Sequence, residues 1–277
     1  MPRAAILQMT SGIDPANNAA ALVAAVAEAK SGGADILFTP EMSGLLDRDR
    51  TRAGPKIVAE AEDPVLAVVR NAAREHEVWV ALGSLAVAVQ GEGAPKTWVN
   101  RSLLIDDKGR IAARYDKMHM FDVDLESGES WRESGAYTAG DEVVTAQTPV
   151  GRLGLTVCYD LRFPALFDAL GRASCDVLAI PAAFTVPTGR AHWHVLQRAR
   201  AIEASAFVIA AAQVGEHEDG RRTYGHSLVV DPWGEVLLDM GVEAGLGFAE
   251  IDLSRIAEVR KQLPSLANRR EMPKSLT

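Results

Sequence analysis

Short apolar runs alternate with amphipathic, helix-length segments twice over in this chain, and that alternation restricts the fold more than any single motif. Residues 4–9 read as a strand. Asp14-Pro15 reads as a helix start, with Asp as the cap and Pro at the first helical position. The helix predicted from there carries Leu22, Val23 and Val26 on one face and ends at Gly32-Gly33. Residues 35–39 give a second strand, 64–77 a second amphipathic helix and 78–89 a long strand. Segments 100–106 and 110–115 flank Asp107-Lys108-Gly109, a hairpin signature.

After Gly151 the pattern resumes, with a strand to Val157, a helix near 164–172, a strand at 177–180, a helix at about 192–206 and a strand at 207–213. Segments 226–230 and 236–239 straddle the turn Asp231-Pro232-Trp233-Gly234. A last strand is predicted at 248–252, then a short helix to Leu263. Helices alternating with strands, hairpins between them and no Gly-rich or charged linker predict one α/β domain over 1–263, layered around mixed sheets. The tail, 264–277, is polar and shows no core face; it is predicted to pack on a partner subunit or to stay loose.

Composition narrows the function. Of the 277 residues 48% are hydrophobic but only 6% aromatic, so a large core must be built from Ala, Val, Leu and Ile. A formal net charge of -8 argues against a non-specific nucleic-acid binder and against attachment to an anionic membrane surface. No run approaches the ~18 apolar residues of a membrane span. The N-terminus enters a strand-like run without the features of a secretory signal. Two cysteines, Cys158 and Cys175, are too few for a disulfide framework and suit a reducing, cytoplasmic setting. Gly151 and Gly154 precede their strand, so they make no dinucleotide fingerprint, and no cofactor is predicted.

Cys158 ends the apolar run Leu153-Gly154-Leu155-Thr156-Val157, and a helix is predicted from Arg162. A cysteine at such a junction can present its sulfur to a cleft. An ordinary thiol is only a few per cent thiolate at neutral pH, so it needs a base or a positive field. Glu41, in an apolar run beside Pro40, is the candidate base, expected to have its pKa raised by burial. Lys117 is the candidate to stabilise the thiolate and an oxyanion, with the Tyr159 amide as a second donor. These groups fit acyl transfer from an amide or nitrile to water.

The segments Phe38-Thr39-Pro40-Glu41, Tyr115-Asp116-Lys117-Met118-His119 and Val157-Cys158-Tyr159-Asp160-Leu161-Arg162-Phe163-Pro164 resemble the nitrilase, or carbon–nitrogen hydrolase, superfamily. The resemblance runs from the first strand to about Asp252. It implies a four-layer α-β-β-α sandwich with two mixed sheets, and a cofactor-free amidase that homo-oligomerises as a dimer or tetramer. Glu41 would be its general base, Lys117 its oxyanion-stabilising lysine and Cys158 its nucleophile. By the same resemblance Glu133 is a second glutamate that positions Lys117, unless it is only a structural ion pair.

Pro181 to Trp193, Tyr224-Gly225-His226-Ser227 and Val230-Asp231-Pro232-Trp233-Gly234 narrow the match to the Nit subgroup, whose members cleave carboxylated amides with release of ammonia. This implies Phe184 and Thr188 in the substrate pocket and Arg162 on a substrate carboxylate. The match departs at His194-Val195, where an acidic residue is implied.

Several blander readings compete. Arg162 could simply pair with Asp160. His192 and His194 form an H-x-H, but residues two apart on a helix point in different directions, so they read as packing or surface residues. Cys175 lacks charged neighbours of the right kind and reads as an inert core residue. An omega-amidase, a nitrilase or carbamoylase, and a non-catalytic binding protein are the rival functions.

Overall fold

Helix caps and apolar periodicity set the elements. The computed structural model describes residues 1–90, 97–124, 126, 128 and 130–270. In chain order the strands are β1 (Arg3–Gln8), β2 (Ile36–Phe38), β3 (Trp79–Val89), β4 (Thr97–Ile105), β5 (Ile111–Asp116), β6 (Asp122–Asp124), β7 (Ser130–Arg132), β8 (Thr145–Thr148) and β9 (Gly151–Leu155). The remaining strands are β10 (Val177–Ala179), β11 (Phe207–Ala210), β12 (Val214–Glu216), β13 (Arg222–Tyr224), β14 (Leu228–Val230), β15 (Val236–Asp239) and β16 (Gly245–Glu250). The helices are α1 (Pro15–Ser31), α2 (Arg50–Ala53), α3 (Pro64–His76), α4 (Pro164–Arg172), α5 (Val186–Ala204) and α6 (Leu253–Gln262). Asp14 caps α1 by accepting from the Ala16 amide, and Asp63 caps α3 by accepting from that of Leu66.

Two six-stranded mixed sheets form, ordered β16-β1-β2-β3-β4-β5 and β15-β14-β11-β10-β9-β8. Each has a parallel centre, β1-β2-β3 in one and β9-β10-β11 in the other, and antiparallel flanks. The central strands are buried on both faces, which explains why they read as unbroken apolar runs. Alternation still sorts their side chains. Ala5, Leu7, Leu37, Val80 and Leu82 pack with Leu22 and Val26 of α1 and Leu66 and Val69 of α3. Ala4, Ile6, Ile36, Phe38 and Leu104 point the other way and join the second sheet, α4 and α5 in one continuous cluster. The result is the four-layer α-β-β-α sandwich. Buried polar side chains staple its two sheets: Gln8 of β1 accepts from the amide of Ser227 at 2.7 Å and from its hydroxyl at 2.8 Å.

Several boundaries differ from the sequence reading, among them β11, which ends at Ala210, and β16, which spans Gly245–Glu250. Helix α5 begins at Val186, six residues before the predicted start at 192, because Pro187 opens its first turn. The helix predicted from Arg162 starts at Pro164 instead, since Cys158–Arg162 forms a 3-10 turn. Strand β14 begins at Leu228 because His226 is left-handed (φ 54). The tail over 264–270 packs on its own chain, where Arg269 donates to the Asp168 carbonyl at 3.0 Å. Residues 271–277, also part of the predicted tail, lie outside the described ones.

Candidate active site

Three loops that follow strands converge between the sheets. After β2 the chain turns sharply at Glu41-Met42, with Met42 left-handed (φ 55). Strand β3 bulges between Leu82 and Leu85, and the bulge holds this turn. The Ser84 hydroxyl accepts from the Met42 amide at 2.9 Å, and the Ser84 carbonyl from the Ser43 amide at 3.0 Å. From the segment between β11 and β12, Gln213 donates to the Glu41 carbonyl at 2.9 Å. Lys117 directly follows β5, and its amide donates to the Asn100 carbonyl at 2.9 Å.

Cys158 opens the 3-10 turn after β9 in a left-handed conformation (φ 48). For a non-glycine residue this stores strain, on the order of 1–3 kcal/mol. Asp160 over-determines the turn. Its fully buried carboxylate accepts from the Val157 amide at 2.9 Å, the Tyr115 hydroxyl at 2.7 Å and the His119 amide at 3.0 Å. His119 also stacks on Phe163, with ring centroids 3.6 Å apart. The lysine and cysteine segments are therefore one rigid unit. Arg162 does not pair with Asp160.

The side chains meet as the sequence predicted for Glu41, Lys117 and Cys158. Lys117 is 2% exposed, and its Nζ lies 3.0 Å from Glu41 Oε1 and 3.0 and 2.8 Å from the two carboxylate oxygens of Glu133. The second oxygen of Glu41 accepts from the Ala183 amide at 2.9 Å, and the Cys158 thiol bonds the same carboxylate. Glu133 is held in turn by the Phe121 amide at 2.7 Å.

Electrostatics follow from this packing. Burial pushes the Cys158 thiol up, Glu41 pushes it further, and Lys117 only partly opposes them, so it lies well above the ordinary thiol range. Burial works to raise Glu41, as the sequence reading expected, yet Lys117 and the bonds from Cys158, Lys117 and Asn100 outweigh it. Its carboxyl is lowered, a correction to the sequence reading. Burial likewise works to lower Lys117, but the Glu133 and Glu41 carboxylates hold it well above the ordinary lysine range. The resting state is a neutral thiol beside a carboxylate–ammonium–carboxylate chain. Cys175 is fully buried against Gly154 and Leu170, and burial pushes its thiol up to about 12.

The site opens into a cavity of about 1070 Å³, near the top of the usual size range for small-molecule sites. Tyr159, Phe184 and Thr188 line it, Thr188 from the first turn of α5. Arg162 is not among the lining residues. Its guanidinium lies 5.4 Å from the Phe184 ring centroid and 6.0 Å from that of Tyr159, with Nη1 3.2 Å from His192 Nδ1, so it backs the wall that those rings form.

Asn100 went unnoticed in the sequence. Its amide nitrogen bridges Glu41 Oε1 at 2.9 Å and Glu133 Oε1 at 3.3 Å. The available signal was an asparagine inside an otherwise β-rich run, where that residue type is depleted. His194, read as packing or surface, shares the Asp239 carboxylate with His226 through 2.9 Å contacts, which ties α5 to β15 outside the Cys158 cavity. Among the described residues, these three are the group of histidine and carboxylate atoms close enough to share a cation.

Comparison with known proteins gives the chain's family and relatives. The carbon-nitrogen hydrolase family signature matches residues 3–261. The chain is 39% identical over 267 residues to the deaminated glutathione amidase of Yersinia enterocolitica, covering 96% of this chain and 92% of that protein. With the human deaminated glutathione amidase the identity is 38% over 275 residues, covering 98% and 83%. The crystal structure of the Caenorhabditis elegans NitFhit protein superposes with a TM-score of 0.88 at 36% identity, covering 97% of this chain and 65% of that one. The chain belongs to the carbon-nitrogen hydrolase family.

Proposed function

We propose that the protein is a cysteine amidase that hydrolyses the amide of a carboxylated small molecule such as deaminated glutathione through a thioester. The observation that carries this reading is the contact of Lys117 with both glutamates beside Cys158, at the floor of a substrate-sized cavity. The names of the relatives just described support the substrate class.

In this mechanism Glu41 takes the Sγ proton as Cys158 attacks the amide carbon. The carbonyl oxygen becomes an oxyanion held by Lys117 Nζ and the Tyr159 amide. Lys117 can serve it because the bidentate contact with Glu133 occupies two of its three protons; moving one to the oxyanion leaves both carboxylates bonded. Glu41 returns the proton to the amide nitrogen, and the amine leaves as the thioester forms. A water deprotonated by Glu41 then attacks the thioester, releasing the acid and restoring the thiol. The leaving amine is ammonia only for a primary amide; deaminated glutathione would release a peptide amine. Tyr159, Phe184 and Thr188 shape the pocket, and Arg162 supports the first two from behind.

The same reading takes residues 1–263 as a single cytoplasmic hydrolase unit. Its two cysteines are both free and buried, and among the described residues no helix is long and apolar enough to cross a membrane. It also takes the protein as a homo-oligomer. Val195, Ile202, Trp233 and Leu237 are exposed, and the Gly234 turn packs against Ile202 of α5. Such a patch suits a copy of the same chain.

The test is turnover and trapping. Cys158→Ala should lower deaminated glutathione hydrolysis by roughly 10⁴-fold or more. Mass spectrometry of the wild type, quenched during turnover, should find the acyl adduct on Cys158. An adduct on Cys175, or a Cys158→Ala enzyme that keeps its activity, would sink the reading.

A further inference from the structure

The cavity extends well past the nucleophile. Ring contacts lead away from it: Tyr159 meets Phe121 edge-on at 5.1 Å between centroids, and Phe121 meets Trp131 at a tilt at 6.3 Å. Arg221 closes this path, with its guanidinium carbon 4.6 Å from the Trp131 ring centroid. Arg221 lines the same cavity as Cys158 and Glu41, and its side chain is only 17% exposed.

That guanidinium is poorly compensated. Its nearest carboxylate is Asp219, 3.4 Å from Nη2, beyond a good charge-assisted hydrogen bond. Both oxygens of Asp219 are already engaged by backbone donors, one by the Arg221 amide at 2.9 Å and the other by the Arg48 amide at 2.9 Å. Among the described residues no side-chain hydrogen bond satisfies Arg221, and its buried Nε has no partner at all. The indole N–H of Trp131 beside it is likewise buried and unpartnered. A second guanidinium stands close by: Arg48 Nη2 would lie 3.6 Å from a Cβ added at Gly220, and Arg48 lines the cavity too.

Of the other charged groups around the cavity, Arg50 donates to the Arg132 carbonyl. Asp47 pairs with Arg52 at 2.7 Å, Asp49 caps α2, and Arg132 pairs with Asp124 at 2.8 Å. The turn carrying Arg221 is also preset. His217 is fixed at both ring nitrogens, 2.9 Å from the Ser11 carbonyl and 2.8 Å from the Thr223 hydroxyl. A partly buried cation on a fixed turn, with open donors and, among the described residues, one neighbouring carboxylate already engaged by backbone amides, is a ready receptor for an anion.

We infer that Arg221, assisted by Arg48, binds a second carboxylate at the end of the substrate remote from the scissile amide. The enzyme would therefore favour elongated dicarboxylates over short keto-acid amides. This rests on the amidase reading above and adds to it the residue that selects for length and for the distal charge.

The test compares three substrates: deaminated glutathione, the same compound with its glycine carboxylate capped as the N-methylamide, and α-ketoglutaramate. The wild type should prefer the free acid to the capped form. Arg221→Gln should raise KM for the free acid roughly 10- to 100-fold, the loss of one hydrogen-bonded charge contact, with kcat little changed. It should leave the capped form and α-ketoglutaramate within about 2-fold, and Arg221→Lys should recover part of the loss. Equal effects of Arg221→Gln on all three substrates, or a wild type indifferent to the cap, would overturn the assignment. Wild-type enzyme that cleaves α-ketoglutaramate but neither long substrate overturns it while the amidase reading stands. Failure on all three removes the amidase reading and this inference together.

Discussion

At the residue scale the resting thiol is the point of interest. Cys158 faces the Glu41 carboxylate and the Lys117 ammonium, which also pairs with Glu133, so with Lys117 charged the cluster already carries one excess negative charge, and a thiolate would add another. Deprotonation is therefore coupled to attack rather than completed beforehand. Glu41→Gln separates these ideas. It removes a charge and an acceptor that hold the thiol up, while Lys117, which lowers it, remains. Iodoacetamide should then alkylate Cys158 faster at pH 8, by about 10-fold for each pH unit that the thiol drops. Amide hydrolysis should fall by roughly 10²- to 10⁴-fold, since the base is gone. Alkylation that slows in step with hydrolysis would show that Glu41 also creates a resting thiolate. Asn100, bonded to both glutamates, helps keep this chain of charges in register.

At the element scale the bulge of β3 decides where Glu41 points. Gly83 sits inside that bulge. A Cβ there would meet the Thr39 carbonyl at 2.0 Å, the Pro40 carbonyl at 2.5 Å and Pro181 at 2.6 Å. All three lie next to the catalytic turns, and two are backbone atoms that cannot swing aside. Gly83→Ala should destabilise the protein by about 1–3 kcal/mol, the usual range for overpacking. It should also depress kcat more than KM, because the turns before Glu41 and after Pro181 must both shift. Thermal melts and steady-state kinetics check this, and a stable variant with unchanged kcat would show that the turn is set elsewhere. The alternation of strand and helix was legible from caps and apolar runs. The start of α5 was not, because the substrate-pocket motif around Phe184 to Gly189 masked a helix opened by Pro187.

At the scale of the whole molecule, the outer edge formed by α5 and the β14–β15 turn presents aliphatic and indole surface to solvent. Val195 is 68% exposed and Trp233 49%. Covering that face with a second copy would extend the sandwich. Ile202→Asp should leave the fold intact and shift the mass measured by light scattering from oligomer to monomer, since a buried unpaired carboxylate at an interface is costly. A wild type that is monomeric at micromolar concentration would contradict self-association.

The order of apolar runs, the Asp and Pro helix starts and the hairpin turns were enough to foresee helices layered on mixed sheets, because those signals act between neighbours in sequence; that there are two sheets came from the resemblance. Glu41, Lys117 and Cys158 were legible too, each carried in a short motif that follows a strand. The resemblance added Glu133. What the sequence could not supply were relations across distance: Asn100 bridging two glutamates, Asp160 binding the lysine loop to the cysteine turn, and Arg162 turned behind Phe184. Nor could it rank the effects on Glu41. Burial alone argues for a raised carboxyl, and only the placement of Lys117 at 3.0 Å, with two further donors, reverses the sign. Coulomb energy depends on separation and local dielectric, and both are set by tertiary packing rather than by neighbours along the chain.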